Sequence, residues 1–187
     1  ALEFSPNGSY LAVGGYEEDN WSPPSGWMLV LEMNWANQSA TVLRNLSSHH
    51  PGDVPSVTWS SDGSYLYTGG DDAIRKFDVN NNWTMMMSYA YDNGNVWALD
   101  LSPDDRLIAG MSGGNQLKVY WTSNGSQYMQ FSNHTGSHGL ALKFSPDGRW
   151  LLTGGFDNKV NAYNVSNKSH EKELDVSSDV YGIDFHD

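Results

Sequence analysis

Histidine, carboxylate and hydroxyl side chains are plentiful in this sequence, but few stand at spacings that would let them act together. His49 and His50 with Asp53 are the nearest thing to a metal-ligand cluster. Neighbouring residues on one loop project apart, whereas a metal needs ligands that converge, so no metal site is expected there. The pairs Asp71-Asp72 and Asp104-Asp105 fall in turns, where Asp hydrogen-bonds its own backbone. No Asp-x-Asp-x-Asp-Gly loop exists to hold calcium. No Gly-x-Ser-x-Gly elbow presents a nucleophilic serine. The glycine-rich stretches lack the Lys-Ser/Thr of a phosphate loop. The absence of cysteine removes thiol nucleophiles, thiolate metal sites and disulfides together. No catalytic, cofactor-binding or metal-ligating residue is expected. Met85, Met86 and Met87 are expected on a buried outer strand, and Trp21 and Trp27 flank the loop Glu17–Gly26.

One motif exceeds composition. Asn-x-Ser/Thr, the acceptor pattern for N-linked sugar, occurs at Asn7, Asn20, Asn37, Asn45, Asn82, Asn124, Asn133, Asn164 and Asn167. The chain's content of Asn, Ser and Thr predicts roughly three by chance. Asn7 and Asn124 stand in Asn-Gly turns that require those residues anyway. Most of the others fall on the approach to the last strand of a repeat, where a bulky glycan would meet water. This excess points to a secreted, extracellular glycoprotein whose only prosthetic groups are N-linked glycans. The alternative is a cytoplasmic protein in which Asn-x-Ser/Thr arises from composition.

Charge narrows the partners. Ten Lys and Arg against 22 Asp and Glu give a net charge of −12, the wrong sign for neutralising phosphates, so nucleic acid and anionic membrane surfaces are disfavoured. No uninterrupted apolar run approaches the ~20 residues of a membrane span. Aromatic residues make up 13% of the 187, too many for a disordered segment.

The elements that position these residues are repetitive. An apolar strand running into a serine-rich turn recurs at Ala1–Gly8, Val57–Gly63, Leu99–Asp105 and Leu142–Gly148, and again at Tyr181–Asp187. Taking Phe4, Trp59, Leu101, Phe144 and Phe185 as equivalent gives a unit of about 40 residues, a repeat-protein period. The first unit is lengthened by the insertion Glu17–Gly26. Each unit reads as four short alternating strands punctuated by Gly, Pro, Asn and Asp, with no sustained helical period. The fold class is therefore all-β. The chain opens at Ala1 in one strand and closes at Asp187 on another, which reads as part of a longer polypeptide.

With Phe144-Ser-Pro-Asp-Gly148 and then Thr153-Gly-Gly-Phe-Asp157, these units resemble the WD-repeat β-propeller family. The resemblance implies a single partial propeller over 1–187. Its four-stranded antiparallel blades would span about 1–53, 54–95, 96–138 and 139–178, with a fifth beginning at 179–187. The family's Trp-Asp appears as Leu31-Glu32, Phe77-Asp78, Tyr120-Trp121 and Tyr163-Asn164, never literally. The family's turn network maps onto His50, Asp71 and Asp157. It implies a His50–Asp71 hydrogen bond in the second blade and no network in the third, which has Asp92 and Gly114 at those places. A non-catalytic structural or interaction protein follows, with protein partners or self-association into a homopolymer. It is either an extracellular subunit of a fibre or surface coat, or an intracellular scaffold that binds peptides on its narrow face.

Overall fold

The computed structural model describes residues 1–17, 25–71, 73–92, 94–136 and 138–186. Asn20, Trp21 and most of the insertion lie outside the described residues.

The strands form four antiparallel four-stranded sheets, each ordered as its strands occur in the chain. The first contains β1 (Leu2–Phe4), β2 (Tyr10–Glu17), β3 (Ser25–Asn34) and β4 (Ser39–Asn45). The second contains β5 (Ser56–Trp59), β6 (Tyr65–Gly70), β7 (Ala73–Asp78) and β8 (Thr84–Ala90). The third runs through β9 (Val96–Leu101), β10 (Leu107–Ser112), β11 (Leu117–Trp121) and β12 (Gln127–Phe131). The fourth runs through β13 (Gly139–Phe144), β14 (Trp150–Gly155), β15 (Lys159–Asn164) and β16 (Ser169–Asp175). This is the architecture of a β-propeller with separate blades.

The serine-rich turns between first and second strands share one mechanism. Ser5, Ser60, Ser102 and Ser145 each accept a backbone N–H from the opening residue of the next strand. Each hydroxyl also donates to the carboxylate or amide oxygen two residues on, at Asn7, Asp62, Asp104 or Asp147. Gly8, Gly63 and Gly148 hold φ near +70°, which glycine adopts without steric cost. The third sheet has Asp105 at this place with φ +57, and its carboxylate accepts the backbone N–H and hydroxyl of Ser61 in the neighbouring sheet.

Core lies between sheets. Val30, Val57, Trp59 and Phe77 fill the first interface, and Ile74, Tyr89, Val96 and Ile108 the second. Met111, Leu117, Phe144 and Tyr163 fill the third. At the glycine ends of the second strands the chain crosses closely to the next sheet. A Cβ on Gly14 would stand 2.6 Å from the Val54 carbonyl oxygen, and one on Gly154 2.3 Å from Val180 Cγ1.

Tyr181–Phe185, the expected opening of a fifth blade, is not paired with any described strand. The segment makes the same crossing as its counterparts, with Val180 N–H donating to Gly155 O as Val54 N–H donates to Gly15 O. Met85 and Met86, expected to be buried, are not: β8 is the outer edge of its sheet, and they are 40% and 54% exposed.

Candidate functional site

The sheets present two ends, a turn face carrying the Ser-Pro-Asp-Gly turns and a glycine face where the second strands end at Gly15, Gly70, Gly113 and Gly155. On the glycine face the connections are held by buried polar networks that differ from sheet to sheet.

In the fourth sheet His134, buried, has its Nδ1 2.9 and 3.0 Å from the two carboxylate oxygens of Asp157, and its Nε2 2.7 Å from Thr153 Oγ1. The Thr135 backbone N–H donates to the same carboxylate at 2.9 Å. Burial works against the charge on Asp157, but the bonds from His134 and Thr135 outweigh it and hold the carboxyl below its ordinary range. In the second sheet the His50 ring lies 3.1 Å from Thr68 Oγ1 and 3.4 Å from Arg75 Nη1. Burial, reinforced by the Arg75 and His49 charges, pushes its pKa down to about 3, so it is neutral at physiological pH. The implied partner of His50, Asp71, rests its carboxylate over Gly52 instead. The third sheet has no histidine at this place. Tyr91 Oη there lies within hydrogen-bond distance of Gly110 O and Lys118 O, and the buried Lys118 ammonium meets Asp92 at 2.7 Å.

His134 was not singled out from the sequence, although it precedes Phe144 by ten residues much as His50 precedes Trp59 by nine. Its signal was spacing: His134 precedes Thr153 by 19 residues and His50 precedes Thr68 by 18.

Four aromatic rings from four separate chain segments form a row on the glycine face. Trp97 meets His138 at 5.4 Å between centroids, His138 meets Phe156 at 5.6 Å, and Phe156 meets Tyr181 at 5.8 Å. Phe156 and Tyr181 are exposed, and His138 Nδ1 is buried with no hydrogen-bond partner among the described residues. Beside Trp97 a cavity of about 380 Å³ is lined by Gly15, Asp53, Val54 and Pro55. Asp92 and Asp179 add exposed carboxylates to this end of the molecule. The space between the inner strands is lined by apolar residues including Leu2, Val57, Leu99, Leu142 and Ile183. Nearer the turn face Glu3, Thr58, Asp100 and Lys143 occupy one register position on successive inner strands. Burial pushes Glu3 up to about 7, against the pull of hydrogen bonds from Thr58 and Trp59. Among the described residues no three His, Asp or Glu side chains are placed to hold a metal ion.

The Asn-x-Ser/Thr excess has a physical account in the turns. The side-chain oxygens of Asn7, Asn37, Asn45, Asn124, Asn164 and Asn167 each accept a hydrogen bond from the backbone or hydroxyl of the Ser two residues on. Where the donor is the backbone N–H this is the Asx turn, and at Asn37 and Asn167 the Ser hydroxyl takes its place. Asp62, Asp104 and Asp147 perform the same service without creating the motif. Asn82 accepts from Arg44, and Asn133 contacts His170.

Comparison with known proteins supplies the remaining findings. The family model described as WD domain, G-beta repeat, matches residues 40–78 and 125–164. Protein HIR1 of Phaeosphaeria nodorum is 28% identical over 122 residues, covering 62% of this chain and 12% of its own length. Telomerase protein component 1 of Mus musculus is 26% identical over 175 residues, covering 93% of this chain and 6% of its own. The solved structure of Chaetomium thermophilum Sqt1 bound to the N-terminus of the ribosomal protein L10 superimposes with a TM-score of 0.79 at 17% identity. It covers 95% of this chain and 49% of that one. The chain thus spans a small part of these curated relatives and about half of the solved propeller. The expectation of an extracellular, secreted protein is corrected by these relatives, since telomerase and ribosomal proteins belong to the cell interior.

Proposed function

Because the chain belongs to the WD-repeat β-propellers, we propose that it is part of an intracellular, non-catalytic scaffold that docks protein partners on its glycine face. The observation that carries this reading is the aromatic row Trp97–His138–Phe156–Tyr181. Aromatic rings combine large contact area with little conformational entropy to lose, and they dominate the energetics of binding surfaces. Here they come from four segments held by the strand ends, which fixes their spacing before a partner arrives. The carboxylates of Asp53, Asp92 and Asp179 around the row favour a partner segment carrying Lys or Arg, consistent with the net charge of −12. That the Sqt1 propeller was solved with a ribosomal-protein N-terminus bound supports a peptide-like partner in the same role.

The test is capture from cell extract with the purified chain and its Trp97→Ala/Phe156→Ala/Tyr181→Ala variant, read by quantitative mass spectrometry. Proteins retained by the parent should drop at least about tenfold with the variant, the value of roughly 1.4 kcal/mol in binding. A partner set retained equally by both, with the variant folded as judged by its unfolding midpoint, refutes the assignment of this face.

A further inference from the structure

The outer gaps between neighbouring sheets, seen from the turn face, are built from equivalent positions but are not filled alike. Between the first and second sheets Trp83 closes the gap. It is 5% exposed and meets Tyr10 and Trp59 edge-on, with centroids 5.6 and 5.9 Å away. Between the second and third sheets the gap is closed by Lys76, whose ammonium lies over Tyr65 and donates to Thr122 O at 3.1 Å, and by Met87 packed on Gly125.

Between the third and fourth sheets the corresponding positions carry different residues. Leu107 opens the second strand where the first sheet has Tyr10. Lys168 stands before the last strand where the second sheet has Trp83, with nearly the same backbone angle, φ +57 against +60. With Leu107 smaller than Tyr10 and Lys168 lacking an indole, a groove of about 430 Å³ is left, at the low end of ligand-site sizes. Its apolar lining is Pro103, Leu107, Trp121, Tyr128, Pro146 and Val165.

Trp121 is itself a departure from the repeat. Paired against Leu107, it occupies the register held by Glu32, Asp78 and Asn164 in the other sheets. Asp78 and Asn164 cap their turns through backbone N–H groups two and three residues on. Trp121 forgoes that bond and places an indole against Tyr128, at 5.0 Å and 83°. Two cations overlie these rings: the Arg106 guanidinium 5.3 Å from the Trp121 ring and the Lys168 ammonium 4.1 Å from that of Tyr128. Neither makes an ion pair within 4 Å among the described residues. The groove's own carboxylates, Asp104 and Asp147, are occupied by their turn serines and backbone N–H groups, and Asp147 also lies 3.7 Å from Arg149.

We propose that this groove is a second docking site, separate from the glycine face, which takes an acidic peptide segment anchored by an aromatic side chain. The sister gap supplies the anchor's chemistry, since an indole fills it in the chain's own fold. The Lys168 ammonium over Tyr128 and the exposed Arg106 guanidinium over Trp121, whose charge also acts on Asp104, supply the preference for flanking Glu or Asp.

The probe is a fluorescein-labelled peptide with one tryptophan flanked on each side by two glutamates, read by fluorescence polarisation against the full chain. The expected result is saturable binding, weakened at least about tenfold when the glutamates are replaced by lysine or the tryptophan by alanine. Lys168→Trp copies the plug of the sister gap at a backbone angle that already accepts tryptophan in this chain. It should abolish binding while leaving the thermal midpoint unchanged or raised, whereas Arg106→Glu should weaken the acidic peptide and spare the lysine one. No binding up to about 1 mM peptide, the level of a −4 kcal/mol contact, overturns the proposal, as does undiminished binding to folded Lys168→Trp. The triple alanine variant of the glycine face should bind this probe as the parent does.

Discussion

Replacing Asp157 by alanine should destabilise the fourth sheet by an amount that can be worked from its contacts. The substitution removes the acceptor that, among the described residues, serves two donors, the Nδ1 of His134 and the backbone N–H of Thr135. His134 is buried, with 1% of its side chain exposed, so its orphaned nitrogen bears the full desolvation penalty of about 1–3 kcal/mol. Thr135 is exposed and can turn to water, adding about 0.5–1 kcal/mol. The total is roughly 2–4 kcal/mol. For a chain of this size each kcal/mol moves the midpoint by about 2–4 °C, so calorimetry should show a drop on the order of 10 °C. Asp157→Asn keeps one acceptor oxygen and should lose about half as much. Asp175→Ala is the control, since its carboxylate is 86% exposed and 3.6 Å from Lys159, and it should leave the midpoint where it is. If Asp157→Ala melts within about 1 °C of the parent, the network does not secure this connection.

Stability should respond to pH through two groups of opposite sign. The folded state refuses a proton at His50 down to about pH 3 whereas the unfolded chain takes one below about 6.5, so His50 erodes stability as pH falls through that window. Glu3 stays protonated up to about pH 7 in the fold but ionises above about 4.5 when unfolded, so its contribution is greatest at low pH and is lost as pH rises. The two oppose each other between about pH 4.5 and 6.5, and Glu3→Gln should steepen the acid loss there in urea titrations; parallel profiles for parent and variant would contradict the burial of Glu3. Trp83→Ala should cost about 3–5 kcal/mol, the range for truncating a buried tryptophan, and a loss under 1 kcal/mol would show that the gap collapses without its plug. Gly14→Ala sets a Cβ 2.6 Å from a backbone oxygen, and Gly154→Ala sets one 2.6 Å from Val180 Cβ, which no rotamer moves. Both variants should therefore unfold at lower denaturant concentration than the parent.

Strand order was legible because period-two alternation and turn residues are local signals, and the four serine-rich turns advertise their chemistry in Ser-x-Asp/Asn spacing. The same local chemistry carries two meanings: an Asn oxygen that accepts from the Ser two residues on leaves its Nδ2 free, so turn and sugar-acceptor motif share the same residues at the same offset. The third sheet's lack of a histidine network was visible at Asp92 and Gly114, but its replacement by Tyr91 and Lys118 was not, since a tyrosine and a lysine 27 residues apart carry no pairing signal. The aromatic row was equally silent. Trp97, His138, Phe156 and Tyr181 are brought together only by sheets arranged about a shared space.

A repeat builds the same scaffold several times, so the residues that set one copy apart are where surface chemistry can differ without changing the fold. Asp105 replaces the turn glycine and ties Ser61 across the gap. Trp121 replaces a turn-capping carboxylate or amide, and Lys168 stands where the second sheet has its plug Trp83 and the first has Gln38. All three lie on the turn face, where Trp121 gives up the capping contact made at the equivalent positions. A fold maintained by its buried interfaces can carry that loss, because Leu117, Phe144 and Tyr163 still close the third interface beneath. Local rules broken over an intact core are what a binding surface looks like when it is built into a repeat. On that reasoning giving these positions the second sheet's residues, Trp121→Asp together with Lys168→Trp, should raise the unfolding midpoint of the chain while closing the groove to the acidic tryptophan peptide. A double variant that melts lower than the parent would mean that Trp121 and Tyr128 hold the fourth sheet in place, and that the groove is structure and not a site.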